Sequence, residues 1–220
     1  MPPNPVFARP ASTVLVVRDN PHLEVLMVRR PQRGFFGGLM VFPGGAIEDC
    51  DSAYGSEDDA AFRVAGLRET AEEVGFVLTD DGFENAPELR GAELLDHLAE
   101  SGIDLGLARM TLVSRWITPS VAPKRFDTRF YLAPIDGDPD IRLDTEELED
   151  WVWVRPNDAL SRRKSGDWSM ILPTISHLRW LERQPDVLGA VSSALGADGL
   201  TIIEPIEENG QLAVRYRGDS

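Results

Sequence analysis

Ala60, Val64, Leu67, Ala71 and Val74 recur at intervals of three and four, the spacing of one buried helical face. They predict a helix beginning near residue 57, where Ser56 followed by Asp59 resembles a capping box with Asp in place of Glu. Gly75 is suited to stop that helix in a left-handed conformation. Upstream, residues 12–18 and 23–30 are apolar and β-branched and read as strands joined by an Asn20-Pro21 turn. Downstream, residues 110–117, 128–133 and 151–154 read as strands, and 89–99, 156–163, 172–183 and 186–195 as helices. Asn209-Gly210 between the apolar runs of 201–216 is a hairpin signal. Residues 1–10 read as a loose Pro-rich arm, 31–38 as a Gly-containing loop and 48–59 as an acidic loop. The pattern predicts one mixed α/β (α+β) domain over residues 11–186, with a C-terminal extension, 187–220, packed on the same domain.

Composition narrows this picture. A chain of 220 residues can bury a sizeable core. It contains no apolar run long enough for a membrane span. The start, Met1-Pro2-Pro3-Asn4-Pro5, lacks the basic and apolar regions of a signal peptide. Cys50 is the only cysteine, which fits a reducing compartment, so a cytoplasmic location is expected. The net charge of −15 disfavours a nucleic-acid partner. It leaves room for a small phosphate-bearing ligand, provided metal ions and local arginines offset the repulsion.

The sharpest chemical signal is Arg68-Glu69-Thr70-Ala71-Glu72-Glu73-Val74-Gly75-Phe76. On a helix, Glu72 and Glu73 both lie beside Glu69, three and four positions away. Like charges so placed repel by roughly 0.2–0.5 kcal/mol per pair, and the C-terminal end of a helix disfavours them further. A divalent cation would reverse that penalty, and clustered carboxylates suit Mg2+ or Mn2+. Pro43-Gly44-Gly45 upstream would let a backbone carbonyl approach the same ion.

These residues resemble a known family. The run from Arg68 to Phe76 is similar to the second half of the Nudix box, R-E-U-x-E-E-x-G-U, with Thr70 at the first apolar position. Phe42-Pro43-Gly44-Gly45 is similar to the loop that leads into it. The resemblance implies an α/β/α sandwich with a mixed central sheet and a metal-dependent hydrolase of nucleoside-linked diphosphates. It implies that Glu69, Glu72 and Glu73 bind Mg2+ or Mn2+, that a Gly44 or Gly45 carbonyl adds a ligand, and that Arg68 orients the glutamates. A homodimer fits the family habit. The box is interrupted: about nine extra residues fall within 48–59, leaving Glu48, Asp51 and Asp59 as rivals for the displaced box acid. That insertion, with Trp116-Ile117-Thr118-Pro119 and the run from Arg125 to Tyr131, resembles the peroxisomal-type coenzyme A diphosphatase branch. The upstream coenzyme A pattern is met at Arg29, Gly38 and Phe42 to Gly45, but Arg30 and Gly34 depart from it.

Coenzyme A or acyl-coenzyme A is therefore the leading substrate. ADP-ribose, a dinucleotide, or a non-catalytic nucleotide sensor are the alternatives. Arg29, Arg33, Arg125 and Arg129 are candidate phosphate contacts, with Arg30 and Lys124 weighed alongside them against ordinary surface charge; on a strand Arg125 and Arg129 share a side. Glu146, Glu147, Glu149 or a box glutamate could serve as general base. His22, His97 and His177 show no metal spacing and read as structural or exposed, and the tryptophans Trp116, Trp151 and Trp153 read as core.

Overall fold

The computed structural model describes residues 7–33, 37–54, 59–120, 122–196, 202–208 and 211–217. In chain order the elements are β1 (Arg9–Asp19), β2 (Leu23–Arg29), β3 (Met40–Val41), β4 (Gly44–Ala46), α1 (Ala60–Val74), β5 (Phe76–Thr79), β6 (Gly82–Asn85) and α2 (Gly91–Glu100). They continue with β7 (Thr111–Ile117), β8 (Phe126–Pro134), β9 (Asp150–Val154), α3 (Pro156–Ser165), α4 (Leu172–Leu181), α5 (Val187–Leu195), β10 (Ile202–Glu208) and β11 (Gln211–Arg217).

One mixed sheet runs β11-β10-β7-β8-β1-β2-β3, with β4 paired to β1 and β9 to β2. The β1–β8 and β7–β10 pairs are parallel, and the others antiparallel. Alternate residues of the central strands feed two separate cores, as a period of two requires. Val14, Val16, Leu26, Val28 and Tyr131 pack with Leu67, Ala71 and Val74 of α1 and Leu94 and Leu98 of α2. Leu15, Val17, Val25, Met27 and Leu132 pack with Ala159, Leu178, Ala190 and Ala194 of the three later helices. Both faces are covered, so β1 and β2 are nearly continuous apolar runs. This is the expected α/β/α sandwich.

Several boundaries differ from the sequence reading. Arg9 and Pro10 are not part of an arm; they already pair with Phe126 and Asp127 of β8. Helix α1 starts at Ala60, and the Asp59 side chain accepts no hydrogen bond from the helix amides but pairs with Arg63 (Nε–Oδ2 2.9 Å). Ser56 lies outside the described residues. All five predicted stripe residues are buried, and Gly75 ends the helix at φ +82°, its N–H donating to Ala71 O. The acidic 48–59 segment contains a 3₁₀ turn, Asp49–Tyr54. The C-terminal hairpin forms with Glu208 opposite Gln211, extending the sheet beyond β7; its Asn209-Gly210 turn lies outside the described residues. Strands β4, β5 and β6 were not foreseen. Among the described residues no helix is long and apolar enough to cross a membrane.

Candidate active site

The end of α1, strand β4 and the 3₁₀ turn converge on Arg68, which is 1% exposed. Its Nε and Nη2 donate to the two carboxylate oxygens of Asp51 at 2.8 and 3.1 Å, a two-pronged ion pair. Nη2 also donates to Ala46 O (3.1 Å), and Nη1 reaches Glu69 (3.0 Å) and both oxygens of Glu72 (3.3 Å). Burial alone would lower the guanidinium pKa; the Asp51 hydrogen bond and the charges of Glu69, Asp51 and Glu72 reverse this and raise it. Asp51, itself fully buried, also accepts the Glu48 amide (2.8 Å). Of the three rival acids, Asp51 is thus the one that engages the box arginine. It stands at the position counted forward from Gly45, so the insertion falls after it. Asp59 is taken up by Arg63.

The three glutamates are not equivalent. Glu72 is held by protein donors: the Gly91 amide at the N-terminus of α2 (2.8 Å), Arg68, and Arg90 at 3.9 Å. The Glu69 carboxylate lies flat against Gly45; a Cβ there would sit 2.4 Å from its carbon and both oxygens. Glu73 is 3% exposed, accepts the Gly44 amide at 2.9 Å, and has Arg30 Nη2 3.8 Å away. Gly44 adopts φ +147° with its Cα pressed on the β1 backbone at Ser12 and Thr13, so only glycine fits. Burial pushes Glu69 up to about 7, against the pull of Arg68 and aided by the charge of Glu72. Burial, then the charge of Glu69, pushes Glu73 up to about 8.

A second acidic layer faces this pair. Arg90 is paired with Asp144 and with Glu147 (3.0 Å). The charge of Glu147 contributes to the upward shifts of both Glu69 and Glu73. Glu149 instead accepts the Gln32 amide at 3.2 Å, and Glu146 is exposed. Among the described residues no three acidic, His or Cys side chains enclose a ready-made ion site. Of the three box glutamates, Glu69 and Glu73 have fewer protein donors than Glu72, and they present two hard-oxygen donors beside the glycine turn. That donor chemistry fits a divalent cation completed by water and substrate oxygens.

The glutamates and Gly45 come together where α1 meets β4, while the basic residues weighed as phosphate contacts divide: Arg30 and Lys124 line the cleft and the others do not. A cleft of about 460 Å³ opens beside Gly44 and Gly45, and none of Arg29, Arg33, Arg125 or Arg129 lines it. Arg33 is exposed, and the Arg125 Nε donates to Thr118 O at 3.0 Å. The Arg129 guanidinium stacks 3.8 Å over the Phe62 ring of α1, because odd-numbered residues there face the helix. Arg9, Arg30 and Lys124 line the cleft instead.

The family model described as the NUDIX domain matches residues 9–172. A protein provisionally named nudix hydrolase 7 from Caenorhabditis elegans is 27% identical over 186 residues, covering 81% of this chain and 62% of its own. Acyl-coenzyme A diphosphatase NUDT19 of Xenopus laevis is 24% identical over 209 residues, covering 64% and 55%. The chain thus spans only about three-fifths of the length of these relatives. The crystal structure of a NUDIX hydrolase from Alicyclobacillus acidocaldarius superimposes with a TM-score of 0.76 at 33% identity, covering 85% of this chain and 96% of that one. With three-quarters of its residues under the family model and the box arginine anchored on Asp51, the chain belongs to the Nudix hydrolase family.

Proposed function

We propose that this protein hydrolyses the diphosphate linkage of a nucleoside diphosphate derivative, with coenzyme A or acyl-coenzyme A as substrate. The observation that carries the reading is the Glu69–Glu73 carboxylate pair beside Gly44 and Gly45, with Glu69 fixed by the Asp51-anchored Arg68 and Glu73 by the Gly44 amide. Nudix hydrolases generally use a divalent cation such as Mg2+ or Mn2+. Glu69 and Glu73 would hold it, with Glu72 and the Gly45 carbonyl at the margin. Bound there, the cation would polarise a phosphoryl oxygen and acidify a water.

The chain's own residues supply the rest. Arg68 does not reach the solvent side; it fixes the direction of Glu69 and Glu72 and so acts as a positioning residue. Arg30, between Gly44 O (3.4 Å) and Glu73, can meet a phosphate at the mouth of the cleft. Of the three downstream acids, Glu147 is joined to the box through Arg90, which pairs with it at 3.0 Å and reaches Glu72 at 3.9 Å, and this supports it as the general base. The similarity to an acyl-coenzyme A diphosphatase supports the substrate. The lone cysteine supports a cytoplasmic setting. The Asp51 pairing favours an enzyme over a sensor, since the apparent gap in the box is filled.

The test is a panel of coenzyme A, acyl-coenzyme A, ADP-ribose and NADH with Mg2+ or Mn2+, products identified by mass. Coenzyme A should yield 3′,5′-ADP and 4′-phosphopantetheine. Glu73→Gln should abolish turnover while the melting curve persists, and Glu147→Gln should lower kcat with cation binding retained. Undiminished turnover in Glu73→Gln, or tight nucleotide binding without turnover, overturns the reading.

A further inference from the structure

The cleft beside Gly44 and Gly45 has a volume typical of a small-molecule site. Its walls include Trp116, Phe126 and Phe130, apolar surfaces suited to a flat or hydrophobic body. Its charges are one-sided. Arg9, Arg30 and Lys124 line it, and among the described residues no Asp or Glu does, although 37 of the chain's 220 residues are acidic. In a chain of net charge −15, an acid-free cleft with three basic groups is a local reversal of sign.

The three cations fall into two places. Arg30 stands at the glycine turn beside Glu73. Arg9 lies four residues upstream of Thr13, the residue paired with Gly44, hence roughly 13 Å along β1 at a strand's rise per residue. The Arg9 amide donates to Arg125 O (2.9 Å), which joins it to the segment that carries Lys124. Among the described residues neither Arg9 nor Lys124 has a carboxylate within ion-pair distance; Lys124 Nζ sits 5.3 Å from the Phe126 ring centroid.

From this placement we infer that Arg9 and Lys124 form a second anion subsite, which recognises a phosphate monoester carried on the half of the substrate that lies in the cleft. The inference rests on the diphosphatase reading, because the glutamates fix where the diphosphate sits. An apolar body between two anionic groups is the ligand class that matches aromatic walls with cations at both ends. The lysine and arginine suit phosphate oxygens as donors.

The experiment compares matched substrates that differ only in one phosphate: coenzyme A against 3′-dephospho-coenzyme A, and 2′-phospho-ADP-ribose against ADP-ribose. Wild type should favour the phosphorylated member of at least one pair by roughly tenfold in kcat/KM, mainly through KM. In the Arg9→Gln/Lys124→Gln double variant that ratio should fall towards one. Lys164→Gln, which removes a charge from the exposed end of α3, should keep it. A wild-type preference below twofold in both pairs, or one retained by the double variant, overturns the subsite. If no substrate is turned over with either cation, the diphosphatase reading has failed. Calorimetric titration of the same pairs into the same variants then decides the subsite by the same ratio of affinities.

Discussion

His177 gives the fold a defined weakness in acid. It is 4% exposed, inside the core between the sheet and α4. Its ring stacks on Phe130 (centroids 4.3 Å apart) and meets Phe42 and Trp116 at wider angles. Pro173 O, 2.7 Å from Nδ1, is an acceptor, so Nδ1 carries the proton. Nε2 is then an acceptor for the Ser114 hydroxyl at 2.7 Å, while Ser114 Oγ accepts the Trp116 indole N–H at 3.1 Å. Every polar atom is satisfied only when the imidazole is neutral. A second proton on Nε2 would face a hydroxyl whose own proton must then turn into apolar surroundings. Burial accordingly lowers the His177 pKa from 6.5 to about 4, the Pro173 hydrogen bond opposing only slightly, with no charged side chain contributing.

The unfolded chain therefore binds a proton near pH 6.5 that the folded chain refuses until about pH 4. The contribution to stability is complete above pH 6.5 and is lost as pH falls towards 4. At 1.36 kcal/mol per unit it amounts to about 3 kcal/mol. Urea unfolding at pH 7.5, 6, 5 and 4, for wild type and His177→Gln, reads this directly. The variant should be less stable at pH 7.5, and its stability should fall by about 3 kcal/mol less between pH 7.5 and 4. Subtraction removes the titration of carboxylates common to both proteins. Parallel pH profiles for the two proteins, or an NMR titration of His177 near pH 6.5 in the folded state, would refute the reasoning.

Two further substitutions probe the site. Gly45→Ala places a methyl group where the Glu69 carboxylate lies, and because that carboxylate is the far end of a flexible side chain the fold should survive while Glu69 moves by about 1 Å; kcat should drop on the order of 100-fold with little change in melting temperature. Asp51→Asn leaves the Arg68 charge buried without its two-pronged partner, so unfolding should cost about 3–5 kcal/mol less, measured by urea titration, and an unchanged midpoint would show that Ala46 O, Glu69 and Glu72 suffice to hold the guanidinium.

The sequence foretold the helix carrying the glutamates because periodicity, the stop at Gly75 and the burial of its stripe all agree. Strand β4 was illegible for a physical reason: Pro43-Gly44-Gly45 has no strand propensity, and its pairing comes from the β1 edge opposite Ser12. The β5–β6 hairpin did leave a signal, Asp80-Asp81-Gly82 after an apolar run, that went unread. Arg125 falls just before β8, outside the strand, and only Arg129 lies within it; strand parity separates two faces without telling which one meets a ligand. Phe126, Thr128 and Phe130 face the cleft, so Arg129 between them turns towards Phe62 of α1. Choosing Asp51 over Glu48 or Asp59 required the tertiary position of Arg68.

The site also explains how a helix tolerates three acids within one turn. Arg68 is largely committed to Asp51, a residue from outside the helix, so it cannot neutralise all its helical neighbours. Glu72 is instead satisfied by the α2 amide and by Arg90, whose remaining contacts go to Asp144 and Glu147. What is left is a pair, the partly buried Glu69 and the buried Glu73, with one amide and one distant arginine on Glu73 and a shared guanidinium on Glu69. Burial, and then the charge of a neighbouring glutamate (Glu72 on Glu69, Glu69 on Glu73), pushes both pKa values up, to about 7 and 8. The repulsion noticed in the sequence is therefore concentrated on two carboxylates rather than spread over three. It lies beside the glycine turn, where the cleft begins and where Arg30 stands 3.8 Å from Glu73.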